Sequence, residues 1–382
     1  MDIVEVLIKY SCWCDMYKIQ HIQYPVGQGG LHLGIIGDYA YIYDCGGYGD
    51  NVDWNGIFQH ILEELRGCQK LDIFISHLHD DHCNQLKSLC YSLTKNAYPH
   101  NITIYMPPLT DILKIILLCE YYSNKENDKK TDKDYVSFVL TQKIKGLENY
   151  DNINIKYNRD FYFPKHIKYT ETYLPEDIKN TETILFAYTT KLSEEAKILV
   201  EEFKKRLKDK KLNGKNISIK EGIKYESWKN DEFITKAKEA FKETFHTQKI
   251  TNNIMLCLYC GSQYTHHLIE KKNHNNWLHT GDANLKDKNR LCEFIKKFDA
   301  LLYNVNYVQI PHHGSKNNHD SAFSLLFNPA CRFFYTSQDK ISNSKQYVKP
   351  SVKDIKLLLP YSSIKVSDNP ASQIEVLENI KY

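Results

Sequence analysis

The chain has 382 residues, of which 42% are hydrophobic and 25% are charged, with a formal net charge of +3. This composition excludes a mainly disordered, collagen-like or coiled-coil chain, and the length suits one large domain or two. The longest apolar stretch, residues 112–119, contains Lys114 and is far shorter than the roughly 20 residues of a membrane-spanning helix. The N-terminus is acidic, unlike a signal peptide, and eleven cysteines, an odd number, argue against a disulfide scaffold. We therefore expect a cytoplasmic protein with reduced thiols.

The first third of the chain predicts a layered α/β fold. Residues 24–50 contain β-branched and aromatic residues between glycine-rich turns, which predicts two strands. Residues 55–66 have apolar side chains at helical spacing, and Gly67 can end this helix. The apolar run at residues 71–76, LDIFIS, predicts a buried strand. This order of strands and helix favours stacked sheets and helices over a helical bundle.

The middle segment, residues 109–250, has a different composition, rich in lysine, acidic residues, asparagine and tyrosine. Ser193 is positioned to cap a helix that continues through a basic run and stops near Gly214, and a second helix is expected after Asn230. Residues 191–250 hold sixteen Lys/Arg and eleven Asp/Glu, a balance of +5. This charge predicts contact with an anionic partner such as nucleic acid, or simply a solvated helical face. We expect a large, mainly helical insertion.

From Ile254 onward the alternation of strands and helices returns. The predicted strands are residues 254–260, 277–280, 305–310 and 331–337 and a last one around Ile364, and the predicted helices are residues 285–298, a short one after His319 and residues 352–359. We therefore predict that residues 1–108 and 251–382 are two halves of one domain and that residues 109–250 are inserted between them.

The sequence His77-Leu78-His79-Asp80-Asp81-His82 directly follows the LDIFIS strand. Alternation along extended backbone can aim His77 and His79 the same way, and Asp81 and His82 can then face a second ion. Imidazole and carboxylate together suit zinc, iron or manganese, and an open coordination position makes such a site catalytic. The pattern predicts a catalytic metal site at the end of this strand.

Two later motifs can complete this site. In WLHTGDA, Asp282 follows an apolar strand, and its two oxygens can bridge two cations. In PHHGS, His312 and His313 follow another strand, with Ser315 behind them as a candidate contact for substrate. Asp44, in YIYDCGG, can orient the metal loop from outside the ligand sphere, although an ordinary turn aspartate fits equally well.

The ordered motifs VGQGG, YDCGG, SHLHDDH, HTGDA and PHHGS resemble those of the metallo-β-lactamase superfamily, especially the branch similar to the hydrolase domain of the DNA-uptake protein ComEC. The resemblance covers roughly residues 20–105 and 250–370. It implies an α+β four-layer αββα sandwich that holds two divalent metal ions, zinc or else manganese, between two sheet edges. It also implies the ligands: His77 and His79 for the first ion, Asp81 and His82 for the second, Asp282 as the bridge, and His312 or His313 to complete the second site.

The sequence departs from the superfamily pattern in three places. Gly30 stands where relatives usually carry aspartate, and Lys349 stands where they often carry histidine. Lys349 is a candidate contact for a substrate phosphate. Many relatives also have a further histidine on the first metal, for which this chain offers several candidates: His100, His166, His246, His266 and His267.

A pair of metal ions activates water and neutralises charge on attacking and leaving oxygens, as phosphodiester hydrolysis requires. We therefore expect a metal-dependent phosphodiesterase, foremost a nuclease, in which Asp81 and Asp282 help hold the ions and a bridging hydroxide attacks phosphorus. The basic insertion would contact nucleic acid. The alternatives are a small-molecule ester, cyclic nucleotide or thioester hydrolase, and a latent hydrolase that a partner protein or a second copy activates through the insertion.

Overall fold

The computed structural model describes residues 17–96, 101–124, 133–144, 153–157, 163–167, 183–245, 254–262, 276–299, 301–319, 321–337 and 363–380. Within these residues, two seven-stranded sheets pack face to face and helices cover both outer faces. This architecture confirms the four-layer αββα sandwich expected from the sequence.

The described residues contain sixteen strands. The strands are β1 (Tyr17–Gln23), β2 (Gln28–Ile36), β3 (Tyr39–Tyr48), β4 (Lys70–Phe74), β5 (Asn101–Met106), β6 (Ile153–Tyr157), β7 (Phe163–Ile167), β8 (Thr183–Thr189), β9 (Lys211–Leu212), β10 (Lys215–Asn216), β11 (Leu256–Ser262), β12 (Trp277–His279), β13 (Tyr307–Gln309), β14 (Arg332–Thr336), β15 (Ser363–Val366) and β16 (Ile374–Ile380). The first sheet has the order β16-β1-β2-β3-β4-β5-β6, and the second has the order β15-β14-β13-β12-β11-β8-β7. The pairs from β3 to β6 and from β12 to β15 are parallel.

The helices form the outer layers. They are α1 (Trp54–Glu64), α2 (Asp80–Cys83), α3 (Leu86–Lys95), α4 (Asp111–Asn124), α5 (Lys133–Thr141), α6 (Glu194–Asp209), α7 (Ile219–Gly222), α8 (Asp231–Phe245), α9 (Lys288–Phe298), α10 (Leu301–Asn304) and α11 (Ser321–Ser324). Short 3-10 turns occupy Tyr225–Lys229 and Pro370–Ser372, and Pro311–Gly314 is a single turn with left-handed residues inside it.

The helices of the middle segment pack on the outer face of the first sheet. Leu118 of α4 and Phe233 of α8 belong to the same buried cluster as Leu33, Ile42 and Ile73 of the sheet. The segment also supplies β6 to the first sheet and β7 and β8 to the second. Its helices therefore share a core with the first sheet, while the division into residues 1–108, 109–250 and 251–382 stays a prediction.

The interior between the two sheets brings the motif-bearing strands together. Tyr41, Tyr43 and Phe74 of the first sheet pack against Leu256 and Leu258 of the second. The Tyr43 hydroxyl also donates a hydrogen bond to the Leu256 carbonyl, 2.7 Å away. Because the carboxyl ends of parallel strands lie at one edge of a sheet, the loops after β4, β12 and β13 meet where the two sheets face each other.

Several parts of the fold differ from the sequence-based predictions, and strands β5 to β8 are among the elements that were not predicted. Helix α6 begins after the Ser193 cap, as predicted, but it ends at Asp209 instead of continuing to Gly214. Residues 211–216 form the hairpin of β9 and β10, whose turn residues Asn213 and Gly214 have φ of 51° and 75°. Strands β1 and β16 were not predicted, and they pair with each other near the edge of the first sheet. The helix predicted at residues 352–359 lies outside the described residues.

Two composition-based expectations can be checked in the described part of the chain. No helix there is long and apolar enough to cross a membrane. Nine cysteines are described, and all of them are free thiols. The described cysteines therefore form no disulfide with one another, while the reduced state of the thiols and the cytoplasmic location stay predictions.

Candidate metal centre

The metal loop, residues 77–82, follows β4 in extended conformation and turns into the short helix α2. His79 is the N-cap of α2, with φ of −69° and ψ of 146°. Two glycines of the neighbouring hairpin pack against this loop. A Cβ atom at Gly29 or Gly46 would lie 2.3 or 2.7 Å from the Asp81 carbonyl oxygen, so only glycine allows this approach. The VGQGG and DCGG motifs thus seat the metal loop on β2 and β3.

The remaining motif residues come from the second sheet through two left-handed turns. Asp282 follows Gly281, which has φ of 52°. His312 and His313 have φ of 51° and 54°. Left-handed backbone costs a non-glycine residue about 1 kcal/mol or more, and such strain is typical of functional sites. The strained turn places the two adjacent imidazoles on different sides of the Asp282 carboxylate.

The buried Asp282 carboxylate is the centre of the cluster. Its Oδ2 atom lies 3.7 Å from His77 Nε2 and 3.5 Å from His312 Nε2. Its Oδ1 atom lies 3.3 Å from His82 Nε2 and 3.6 Å from His313 Nε2. Each oxygen therefore faces a separate group of nitrogen donors, as a carboxylate between two ions would.

The donor atoms form two compact groups on either side of this carboxylate. The groups are His77, His79 and Asp282, and Asp81, His82 and His313, with the donor atoms of each lying within 4.8 Å of one another. In the first group, His77 Nε2 and His79 Nδ1 are 2.8 Å apart. In the second, His313 Nε2 lies 3.6 Å from Asp81 Oδ2.

Every histidine of the site uses its other ring nitrogen for a partner outside the cluster. These outer contacts are His77 Nδ1 to Ser76 Oγ at 2.9 Å, His79 Nε2 to Glu120 Oε2 at 3.4 Å, His82 Nδ1 to Asp44 Oδ2 at 2.8 Å, His312 Nδ1 to Asn318 Oδ1 at 2.7 Å and His313 Nδ1 to Thr336 Oγ1 at 2.9 Å. Metal-binding histidines show this pattern, because the outer partner fixes the ring and its tautomer. All five inner nitrogens point into the same small volume.

The residues fit a pair of divalent cations. The Nε2 atoms of His82 and His313 are buried, and they have no hydrogen-bond partner in the described part of the chain. Leaving a buried nitrogen unbonded costs about 1–3 kcal/mol, whereas coordination would satisfy both atoms. Nitrogen and carboxylate donors in this number suit zinc, and manganese accepts the same mixture.

The electrostatics of the cluster favour anionic carboxylates among imidazoles. Burial alone would raise the pKa of Asp282, but His312 and His82 outweigh it and hold this pKa well below its usual range. Burial likewise opposes protonation of His82, yet Asp44 and Asp282 raise its pKa well above the usual value. Burial lowers the pKa of His77, and the neighbouring His82 and His79 lower it further. Asp282 therefore remains ionised and available to cations.

The other sequence-derived candidates fall in different places. Asp44 accepts hydrogen bonds from the Ser76 backbone N–H at 2.6 Å and from the Ser76 hydroxyl at 2.9 Å, besides facing His82. A Cβ atom at Gly30 would lie 3.0 Å from Asp44 Oδ2, so Asp44 occupies the space next to this position. Ser315 is half-buried, and its N–H donates to the His312 carbonyl at 2.9 Å. Outside the described side chains lie Lys349, His100, His166, His246, His266 and His267.

The two histidines of PHHGS separate in the structure. His313 lies beside Asp81 and His82, where the resemblance implied one histidine. His312 lies on the side of His77 instead. Many relatives have a further histidine on this side, and the sequence offered candidates for it only in other parts of the chain. The sequence could not distinguish these positions, because the left-handed turn decides them.

Five polar residues of the site were not predicted. Ser76, Glu120, Asn318 and Thr336 contact histidines, and Gln28 donates to Asp81 Oδ2 at 3.3 Å. For Glu120 a sequence pattern was present, because it is a lone carboxylate in the apolar run ILLCEYY. Asn318 and Thr336 had no comparable pattern.

Comparisons with known proteins give weak structural likenesses. The chain is similar to the metallo-β-lactamase fold protein YhfI from Bacillus subtilis, with 10% identity, a TM-score of 0.42 and coverage of 95% of this chain and 100% of that one. It is also similar to unliganded yeast PDE1, with 10% identity, a TM-score of 0.40 and coverage of 90% and 94%. No protein-family model and no curated protein sequence matches. The chemistry proposed for the site therefore rests on its own geometry.

Proposed function

We propose that this protein is a metal-dependent hydrolase with two divalent ions, and that its substrates are phosphodiesters. The observation that carries the proposal is the convergence of four histidine nitrogens on the two oxygens of Asp282, with a fifth nitrogen, from His79, beside that of His77. Each ring also has a polar partner behind it. Bound divalent ions would supply Lewis acidity, which lowers the pKa of a bound water and neutralises charge on phosphoryl oxygens.

The ligand set determines which substrates the site would attract. Imidazoles bind cations in their neutral form, so Asp81 and Asp282 are the only anions among the seven candidate ligands. Two divalent ions would leave this set with excess positive charge, which favours an anionic substrate. The resemblance of the motifs to the ComEC-like branch also supports a phosphodiester.

The candidate ligands would be divided between the two ions. His77, His79 and His312 would hold one ion with Asp282 Oδ2, and the opposite group would hold the other with Oδ1. Once each imidazole is neutral, as cation binding requires, its outer partner would keep the remaining proton on the nitrogen that faces away from the site and leave the inner lone pair for the ion. Because these contacts are already formed, ligand positions need little reorganisation during the reaction.

A nucleic-acid substrate is the more specific part of the proposal. It is supported by the excess of basic residues between positions 191 and 250. Several of these side chains form ion pairs within or between the helices, including Arg206 with Glu202 at 2.6 Å and Lys210 with Glu243 of α8 at 2.6 Å. Since paired cations attract phosphate less, the salt dependence of cleavage separates a polymer from a small substrate.

The test is cleavage of supercoiled plasmid, single-stranded DNA, RNA and bis(p-nitrophenyl) phosphate by protein loaded with Zn²⁺ or Mn²⁺. Wild type should hydrolyse phosphodiesters, and His79→Ala should lose at least about 100-fold in rate. His60→Ala is the matched control, because His60 is a half-exposed histidine of α1 that faces Glu64 away from the site. For a polymer substrate, the rate should fall steeply between low and physiological salt.

Two results would contradict the proposal at different levels. A wild-type protein that binds two ions but hydrolyses only carboxylic esters, thioesters or lactams would refute the phosphodiester substrate. A protein that binds no divalent metal would refute the hydrolase itself. Activity equal in wild type and His79→Ala would point to a contaminating enzyme.

A further inference from the structure

We infer that Glu120, on a helix of the middle segment, is the positioning residue that sets the tautomer of His79 and thereby controls binding of the ion on the His77 side. This inference rests on the proposed metal-dependent function. Glu120 is not a ligand in this assignment and touches neither ion nor substrate; it acts through His79.

The geometry of His79 leaves one nitrogen for each role. Its Nδ1 atom lies 2.8 Å from His77 Nε2 and faces the site, while its Nε2 atom lies 3.4 Å from Glu120 Oε2. A carboxylate at this nitrogen favours the tautomer with hydrogen on Nε2. The lone pair on Nδ1 is then directed at the site, next to that of His77 Nε2.

Glu120 lies in surroundings where a carboxylate needs a specific partner. Only 7% of its side chain is exposed. Its helix, α4, is otherwise apolar on the buried side, where Ile116, Leu117 and Leu118 join the main core. A buried carboxylate without a compensating partner is costly, and the Nε2 atom of His79 faces it at 3.4 Å.

A second contact from the same segment supports the same loop. The Tyr135 hydroxyl of α5 donates to the carbonyl oxygen of Leu78, between the two histidines, at 2.7 Å. The rings of Tyr121 and Tyr135 lie 4.5 Å apart, so α4 and α5 approach the loop together. Tyr122 of α4 stacks on Trp228 at 5.4 Å, which ties the helix to the rest of the segment. The middle segment therefore provides part of the support for the metal ligands.

The experiment compares zinc binding by wild type, Glu120→Gln and the control Asp111→Asn, measured by chelator competition and metal analysis. Asp111 is an exposed carboxylate at the start of the same helix, away from the site. Glu120→Gln should weaken binding of one of two zinc ions by about 10–100-fold. The unfolding midpoint of the metal-free protein should match that of the control.

A double-mutant cycle separates positioning from general stabilisation. In a His79→Ala background, Glu120→Gln should cause no further loss of zinc affinity, because the residue through which it acts is absent. An equal loss in both backgrounds would overturn the inference in favour of a structural role. If Glu120→Gln does not fold, Glu120→Asp replaces it, since it keeps the charge and shortens the reach; weakened zinc binding supports the inference.

The remaining outcomes are also decisive. Wild-type zinc affinity in folded Glu120→Gln, or in folded Glu120→Asp if the first variant fails, would overturn the inference while leaving the proposed function intact. Failure of wild type to bind zinc or manganese would overturn both. The two failures are thus distinguishable by the behaviour of wild type alone.

Discussion

At the residue scale, Asp282 decides whether the histidines form one site or two. Its two oxygens face different histidines, His77 and His312 on one side and His82 and His313 on the other. Because its two oxygens face histidines of both groups, its loss should affect both proposed ions. Asp81 belongs to one group, so its loss should affect one proposed ion.

Asp282→Asn should therefore reduce bound zinc from two ions to one or none and lower phosphodiester hydrolysis at least about 100-fold. An amide keeps the shape but replaces one oxygen with a group that cannot bind a cation. Metal analysis after dialysis and the initial rate of hydrolysis check this. Asp209→Asn, at the exposed end of α6, is the control and should behave as wild type; two tightly bound ions in Asp282→Asn would contradict the bridging role.

At the scale of single elements, the hairpin after α6 shows how a short turn overrides a helical pattern. The basic run continues past Asp209, but Asn213 and Gly214 adopt left-handed backbone and reverse the chain. Asn-Gly is the preferred sequence of a two-residue type I′ hairpin turn. The charges that suggested a longer helix instead lie on both a helix end and a hairpin.

Gly214→Ala should lower the free energy of unfolding by about 1 kcal/mol, because alanine at φ of 75° adopts left-handed backbone. A Cβ atom there would contact nothing in the described residues within 4 Å, so the cost is conformational and not steric. Urea unfolding measures the change. Asn216→Ala, two residues on in the same hairpin, is the comparison; equal stability of Gly214→Ala and wild type would contradict the left-handed turn.

At the scale of the whole molecule, a buried histidine cluster lies between the two sheets, beside the metal centre. His21 Nδ1 and His32 Nε2 are 3.3 Å apart, and the Tyr41 hydroxyl lies 3.3 Å from each. His279 stacks on Tyr43 with ring centres 4.7 Å apart. Burial lowers the pKa of His21 to about 3 and lowers the pKa of His32 and His279 well below the usual value. The space between the two sheets therefore contains neutral imidazoles.

This cluster predicts acid sensitivity of the fold. Between pH 6.5 and about 3, His21 binds a proton in the unfolded chain but not in the folded one, so the free energy of unfolding falls as pH falls through this window. The slope is up to about 1.4 kcal/mol per pH unit for each such histidine. Urea unfolding of metal-free protein between pH 4 and 7 measures it.

The matched variant is His21→Gln, which keeps a polar side chain and removes the titrating group. Its free energy of unfolding should depend on pH less steeply than that of wild type. The difference in slope should be about 1.4 kcal/mol per pH unit, which corresponds to the uptake of one proton. Identical slopes in wild type and His21→Gln would show that His21 is not kept neutral by burial.

The alternation of strands and helices in the first and last thirds of the chain could be predicted because it depends on local patterns, whereas the four-layer sandwich was implied by the motif resemblance. Apolar runs such as LDIFIS, the spacing of apolar residues before Gly67 and the Ser193 cap are determined by nearby residues. Strands β1 and β16 escaped prediction because they are more polar and are stabilised by pairing with each other across about 350 residues of chain. Long-range pairing of this kind has no local pattern in sequence.

The sequence by itself determined the kind of chemistry: which histidines and aspartates follow which strands, and hence a candidate metal site. Only the tertiary structure decided how they are shared, since the direction of a side chain after a turn depends on backbone angles that distant contacts impose. It placed His312 and His313 on different oxygens of Asp282, and it brought Glu120 to His79. Residues that support a site from other elements meet it only when the chain is folded.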